Sequence, residues 1–342
     1  MTATVREVAR RAGVSPMTVS RVVNGSGRVR PETRLAVERV IAAVGYVPNG
    51  LARALTSRKT GIVGLMVPDV GNPFYAPIVR GAESIARRAG FRVMVCNSES
   101  NLAYEGEYVA DMLRQRVEGL LIVPVGDESR AHLLRLEHHR IPFVLIDRTV
   151  SGVECDVVQG DSVGGARRLV EHLISLGHRR IAMIAEAVSV STARDRRRGY
   201  EEALTLAGIP HEPQLLLETS VDLPGGYRAM QILLGLEHHP TAVFAINNLV
   251  AVGAVKAIRE YGLAVPDDIA LVAFDDIEHV ASLWPFLTVM PQAPETFGSI
   301  AAQLLMERIS GRASAQRQVV ILPSDLIVRE SCGARLAAAR RG

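Results

Sequence analysis

Residues 62–67, Ile-Val-Gly-Leu-Met-Val, carry no polar side chain. A strand buried on both faces of a parallel sheet needs such a run, because neither face meets water. The period then lengthens to that of a helix over 76–89 and shortens again over 91–96. The alternation continues with helix 104–116, strand 119–123, helix 129–139, strand 142–146 and a strand leading to Gly160. It resumes with helix 163–176, strand 180–185, helix 196–207, strand 214–218, helix 225–236, strand 242–246, helix 251–261 and strand 269–274. Strands alternating with helices of this length specify parallel sheets with right-handed crossovers. Two such blocks, 61–158 and 159–287, predict two similar doubly wound subdomains. After Pro285 a strand at 288–290, a helix at 296–309 and strands at 319–322 and 326–329 are expected to cross back and finish each sheet.

The first 55 residues follow another pattern. Thr4 and Glu7 have capping-box spacing, and Val5, Val8, Ala9 and Ala12 make one apolar helical face. Gly13 stops that helix. Ser15 is a good N-cap, and Pro16 sits where its missing N–H costs nothing. Val19, Val22 and Val23 turn one way, leaving Met17, Thr18, Ser20 and Arg21 outward. A third helix opens at Pro31-Glu32-Thr33, with Leu35, Val37, Val40, Ile41 and Val44 as its apolar positions, and ends at Gly45. Two short helices joined by a turn containing Gly, the second presenting small polar groups and an arginine, describe a helix-turn-helix.

Charge sharpens this reading. Residues 1–59 hold eleven Arg or Lys against three Glu, a net +8 in a chain of net +3, so residues 60–342 carry −5. A basic head on a mildly acidic body is the asymmetry expected when one end meets phosphate. At 342 residues and 48% apolar content there is room for a head and two lobes, and no run nears a membrane span. Three widely spaced cysteines, Cys96, Cys155 and Cys332, suit buried thiols in a reducing compartment. With no leader pattern at the start, a cytoplasmic location is expected.

The string Val14-Ser15-Pro16-Met17-Thr18-Val19-Ser20-Arg21-Val22-Val23-Asn24, then Thr33, Gly45-Tyr46, Pro48-Asn49 and Ala52-Arg53-Ala54-Leu55, resembles the head of the LacI/GalR family of bacterial transcription regulators. The resemblance runs through essentially the whole chain. It implies a small all-α helix-turn-helix head plus an α/β body of two doubly wound parallel-sheet subdomains, the two-lobed architecture of periplasmic sugar-binding proteins. The expected division is head 1–48, hinge linker 49–60, first lobe 61–158 with 289–319, second lobe 159–288 with 320–335, and tail 336–342. On this likeness Pro16, Met17 and Arg21 reach base edges, and Ser15, Thr18, Ser20, Asn24, Thr33 and Tyr46 meet phosphates. The linker, with Ala52, folds on the operator, and Leu55 wedges into the minor groove. The expected partners are palindromic operator DNA, a second copy of the chain and a small-molecule effector, with no cofactor, metal or membrane. The C-terminal residues lack a sustained leucine heptad, so a dimer is expected rather than a coiled-coil tetramer.

Ligands of open parallel sheets sit beyond the carboxyl ends of strands. Among residues so placed, the resemblance assigns Phe74 as an aromatic wall, Arg196 and Asp275 as a clamp on neighbouring hydroxyls, and Gln292 as a polar contact. Arg148 and Asn248 complete the expected effector set. Many family members carry Asn-Asp where this chain has Asn247-Asn248, and several place an aromatic where it has Val221. With Arg148, Arg194 and Arg196 nearby, a cleft short of one carboxylate is expected to take a sugar or a sugar acid.

An enzyme is the main rival. There is no phosphate-cradling Gly-x-x-x-x-Gly-Lys-Ser/Thr loop, and Gly160 to Gly165 lacks the Gly-x-Gly-x-x-Gly spacing. Neither His138-His139 nor His238-His239 has metal-helix spacing, and there is no Gly-x-Ser-x-Gly elbow. A transport-type binding protein would not carry the basic head.

Overall fold

The computed structural model describes residues 3–24, 27–46, 60–283 and 285–334, with the backbone alone for Asn24 and residues 278–280. The linker expected at 49–59, with Ala52 and Leu55, and the tail at 336–342 lie outside the described residues. The chain divides into two compact units, Met1–Gly61 and Ile62–Gly342.

The first unit holds three helices, α1 (Val5–Ala12), α2 (Pro16–Asn24) and α3 (Pro31–Val44). Thr4 Oγ1 accepts the Glu7 N–H at 3.3 Å, as the capping spacing predicts. The return half of the box is not made. Glu7 instead pairs with Arg10 and Arg11, each at 2.7 Å, since two guanidiniums hold a carboxylate better than one amide does. Gly13 ends α1 in the left-handed region, at φ 66°. Val8, Ala9, Val19, Val22 and Val37 form the core. Leu35, expected among the apolar positions of α3, is exposed. At ~100° per residue it lies ~160° round the helix from Val37.

The second unit is built on two sheets whose strand pairs are all parallel. The first lobe contains β1 (Ile62–Val67), α4 (Tyr75–Arg88), β2 (Arg92–Asn97), α5 (Leu102–Arg114) and β3 (Leu120–Ile122). It continues with α6 (Arg130–His138), β4 (Phe143–Ile146) and β5 (Asp156–Gly160). The second lobe contains α7 (Ser162–Ser175), β6 (Ile181–Ala185), α8 (Ser191–Leu206), β7 (Leu216–Glu218) and α9 (Leu223–Leu234). After these come β8 (Ala242–Ala245), α10 (Asn248–Glu260), β9 (Ala270–Phe274), α11 (Glu278–Leu283) and β10 (Thr288–Met290). The chain then returns to the first lobe with α12 (Pro294–Ser310) and β11 (Val319–Leu322). The sheet orders are β11-β5-β4-β3-β1-β2 and β10-β9-β8-β6-β7.

Three differences from the sequence reading follow from pairing that a single strand does not reveal. β10 pairs with β9, so residues 289 and 290 stay with the second sheet. β11 pairs with β5, so residues 320–322 stay with the first. The crossings therefore fall a few residues later than expected. The strand expected at 326–329 is reduced to one antiparallel bridge, Val289 to Ile327, because Arg329 turns away to Asp276 and the Leu287 carbonyl.

Helix α12 packs on α4 at close range. A Cβ on Gly81 would lie 2.1 Å from the Glu295 carbonyl oxygen, and one on Gly298 would lie 2.0 Å from that of Ile78. Glycine at both positions lets the two backbones touch, which clamps the returning segment to the first lobe. Among the described residues, no helix is long and apolar enough to cross a membrane.

Candidate nucleic-acid interface and ligand cleft

In the head, Ser15 Oγ accepts the Thr18 N–H at 3.2 Å and starts α2. Val19 and Val22 point to the core, so Pro16, Met17 and Arg21 are left exposed. Met17 and Arg21 are four residues apart and share one helical face. Thr18 and Ser20 are half-buried, and the Thr18 hydroxyl lies 3.0 Å from that of Ser15. Thr33 and Tyr46 are half-buried, Tyr46 resting against the core. The Asn24 side chain, Ala52 and Leu55 are outside the described residues.

In the body, the carboxyl ends of both sheets enclose a cavity of about 420 Å³. Its walls come from the residues after β1, β2 and β4 in the first lobe and after β6, β7, β8 and β9 in the second. Phe74, Arg148, Arg196 and Asp275 all line it, so the structure gathers four of the six expected effector residues. Asn248 does not line it. The helix is expected from 251, but α10 starts at Asn248, and Asn247 Oδ1 caps it by accepting the Val250 N–H at 2.8 Å. That places Asn247 in the cavity wall and buries Asn248 completely, its amide 3.5 Å from the Asp276 carbonyl oxygen. Gln292 stands behind Asp275, donating to its Oδ1 at 2.8 Å, and lines a neighbouring space instead. Asp161 caps α7 through the Gly164 N–H.

Asp147 and Asp275 hold matching places in the two lobes. Each follows a strand, β4 or β9, and each has a left-handed backbone, φ 65° and 63°. Each donates its N–H to the next strand, Asp147 to Val158 at 2.7 Å and Asp275 to Met290 at 3.0 Å. Such backbone costs on the order of 1 kcal/mol or more and persists where neighbours over-determine it. Both side chains are buried in the cavity wall, and Asp147 Oδ1 has no hydrogen-bond partner among the described residues.

Two guanidiniums answer these acids. Arg196 donates to the Ile246 carbonyl at 2.7 Å, lies 3.7 Å from Asp275 and stacks 4.0 Å over the Phe274 ring. Arg148 donates to the Pro124 and Val125 carbonyls and reaches across to Glu186 of the second lobe at 3.6 Å. Burial pushes the Asp275 carboxyl above its ordinary range, which Arg196 and Gln292 only partly offset. Burial also disfavours the Arg148 charge, but Glu186, Tyr75 and Asp147 outweigh it and hold the cation.

The charge balance runs against the expected room for an anion. Among the described residues, six carboxylates line the cavity, Asp69, Glu99, Asp147, Glu186, Asp222 and Asp275, against Arg148 and Arg196 as its cationic side chains. Arg194 turns away to Asp127 and the Val188 carbonyl. Glu99, Glu186 and Asp222 escape the sequence reading because they follow three different strands. Only their position after a strand could have flagged them.

Residues 4–49 match the family described as bacterial regulatory proteins, lacI family, and residues 170–332 match a periplasmic binding protein-like domain. The HTH-type transcriptional regulator DegA of Bacillus subtilis (strain 168) is 33% identical over 334 residues, 97% of this chain and 98% of that protein. The structure of the transcriptional regulator CelR–cellobiose complex shares 34% identity over 96% of this chain and 99% of its own, at TM-score 0.73. The lac repressor dimer bound to operator and the anti-inducer ONPF shares 30% identity over 97% and 99%, at TM-score 0.84. Matched from its helix-turn-helix head through both lobes, the chain belongs to the lacI family of bacterial regulatory proteins and is a DNA-binding transcriptional regulator, not an enzyme.

Proposed function

We propose that this regulator acts in the cytoplasm as a homodimeric repressor, bound to a palindromic operator and released by a small hydroxylated effector held between its lobes. The observation that carries this reading is a cavity walled by the strand ends of both lobes, on the same chain as a basic head with an exposed reading face. In the head, Arg21 reads a guanine edge, and Pro16 and Met17 offer apolar contact to thymine methyls. Ser15, Thr18, Ser20, Asn24, Thr33 and Tyr46 fix register on phosphates, and Ala52 and Leu55 serve the minor groove. One head makes too small an interface for high specificity, which favours two heads on a two-fold site. In the body, Phe74, Arg148, Arg196 and Asp275 hold the effector, with Asn247 beside them and Gln292 steadying Asp275.

A ligand touching both lobes binds one lobe angle better than another, and only that difference in affinity can shift the operator-binding population. Ligand pockets of this size suit a monosaccharide-scale molecule.

The test is a gel shift on DNA from upstream of the gene, run over a salt series. The expected result is tight binding to one palindromic segment, weakening steeply with salt and relieved by an effector. Equal affinity for every fragment at every salt concentration would defeat the proposal.

A further inference from the structure

We propose that the effector is a polyhydroxylated molecule carrying a protonated amino group, with its hydroxyls at the inner wall and its ammonium among Asp69, Glu99 and Asp222. The inference rests on the reading of the cavity as the effector site and names its chemistry.

The inner wall is fully buried and made of both kinds of polar group. Asp147, Arg148, Arg196 and Asp275 are each about one-twentieth exposed. Asp147 Oδ1, Arg148 Nε and Arg196 Nε have no hydrogen-bond partner among the described residues. A buried acceptor beside buried donors is what a row of hydroxyls satisfies, since each hydroxyl gives one bond and takes others. Both guanidiniums already face protein carboxylates, Arg148 with Glu186 and Arg196 with Asp275, so each keeps an Nε–H to donate to a hydroxyl while its charge is already answered.

The rim is different. Asp69 is half-buried, Glu99 and Asp222 are exposed, and none of the three pairs with a cation among the described residues. Asp69 accepts the Gly71 N–H, and Asp222 accepts the Gly225 N–H and the Ser220 hydroxyl. Glu99 and Ser100 carry left-handed backbones, φ 54° and 52°, which hold them in the wall. A neutral ligand would strip water from these carboxylates without repayment, and an anionic ligand would face six carboxylates against two guanidiniums. An ammonium supplies the missing partner.

The test uses the full-length protein at about pH 6.5, where a sugar amine keeps its proton. Thermal shift and calorimetry compare three matched triads: glucosamine, glucose and gluconate, then the galactose and mannose counterparts. In at least one triad the amine is expected to bind about tenfold more tightly than the neutral sugar, with the acid weakest. Asp222→Asn, which keeps the helix cap, and Glu99→Gln are each expected to erase most of that preference. Neutral sugar binding as tightly as the amine overturns the proposal while leaving the cavity as the effector site. Acid binding most tightly, or an amine preference unmoved by both variants, overturns it as well. A melting temperature that no member of any triad shifts also overturns it, and the operator gel shift then reports separately on the regulator reading.

Discussion

Arg194 of the second lobe lies 3.0 Å from Asp127 of the first. Beside this pair, the Asp127 N–H donates to the Ser189 carbonyl at 3.1 Å and the Thr149 N–H to the Ser191 hydroxyl at 2.8 Å. These contacts latch one edge of the cleft. The ion pair is partly exposed, so it is worth at most about 1 kcal/mol. Arg194→Gln should open the lobes slightly, seen as a larger radius of gyration by small-angle X-ray scattering. Burial raises the Asp127 carboxyl, but the Ser151 N–H and Arg194 outweigh it and hold it below the usual range. The latch therefore contributes above the ordinary Asp pKa and is lost as pH falls through the lowered one. A variant whose dimensions match the wild type at every pH would refute the latch.

Asp275 has the opposite sign. Burial raises its carboxyl, so keeping it charged costs stability at neutral pH, and that cost fades as pH falls through the raised value. Asp275→Asn should match or exceed the wild type in urea midpoint at pH 7, with the difference shrinking toward acid. Gln292 can turn its amide, whose Oε1 is buried without a partner among the described residues, to accept from the substituted amide. The same variant should lose effector response. A large destabilisation independent of pH would count against this account.

Arg308 fastens the returning segment. It grips the buried Asp156 with two bonds of 2.7 Å and donates to the Ser314 and Gln316 carbonyls. Removing one partner of a buried pair typically costs about 3–5 kcal/mol. Arg308→Ala should lower body stability by about that much in urea unfolding and expose 311–322 to proteolysis first. A loss under about 1 kcal/mol would show the pair to be dispensable.

Glu105 is fully buried on α5 and serves three partners: the Val125 N–H, the Ser129 hydroxyl and His132, each at 2.9 Å. It thereby positions the loop whose Pro124 and Val125 carbonyls hold Arg148. Glu105→Ala should cost about 3 kcal/mol and weaken effector binding without touching the ligand. Unchanged affinity in the folded variant would separate Glu105 from the cleft.

Arg21→Ala should cost about 1–3 kcal/mol of operator affinity, mostly by relaxing the preference at one base pair. Arg10 and Arg11 are already paired with Glu7, whose carboxyl those arginines pull down to about 2. Their removal should weaken all DNA sequences alike. Fluorescence anisotropy on a single-substitution operator set distinguishes the two patterns, and an equal loss on every sequence for Arg21→Ala would remove it from base reading.

How much of this was legible in the chain depends on the range of the interaction. The head is local: caps, an apolar face and a glycine stop within 24 residues specify α1 and α2, and the missed features are Leu35, two positions off its stripe, and the Glu7 side chain. The strands of the body were legible because a strand covered on both faces must be apolar throughout, as 62–67 shows. Helix starts were less so. Polar first turns hide from an apolar pattern, and α8 begins at Ser191 and α10 at Asn248, before their first apolar stripes.

The sequence by itself determined the helix-turn-helix, the alternation of strand and helix, the basic head and the family. Each of these depends on neighbours close in the chain, whose spacing is set by the geometry of one helix or strand. Tertiary structure alone decided that β10 joins the second sheet and β11 the first, that Asn247 rather than Asn248 faces the cavity, and that, among the described residues, six carboxylates share it with two arginines. Those acids come from six strand ends spread over more than 200 residues, and only the pairing order of the two sheets brings their charges within reach of one ligand.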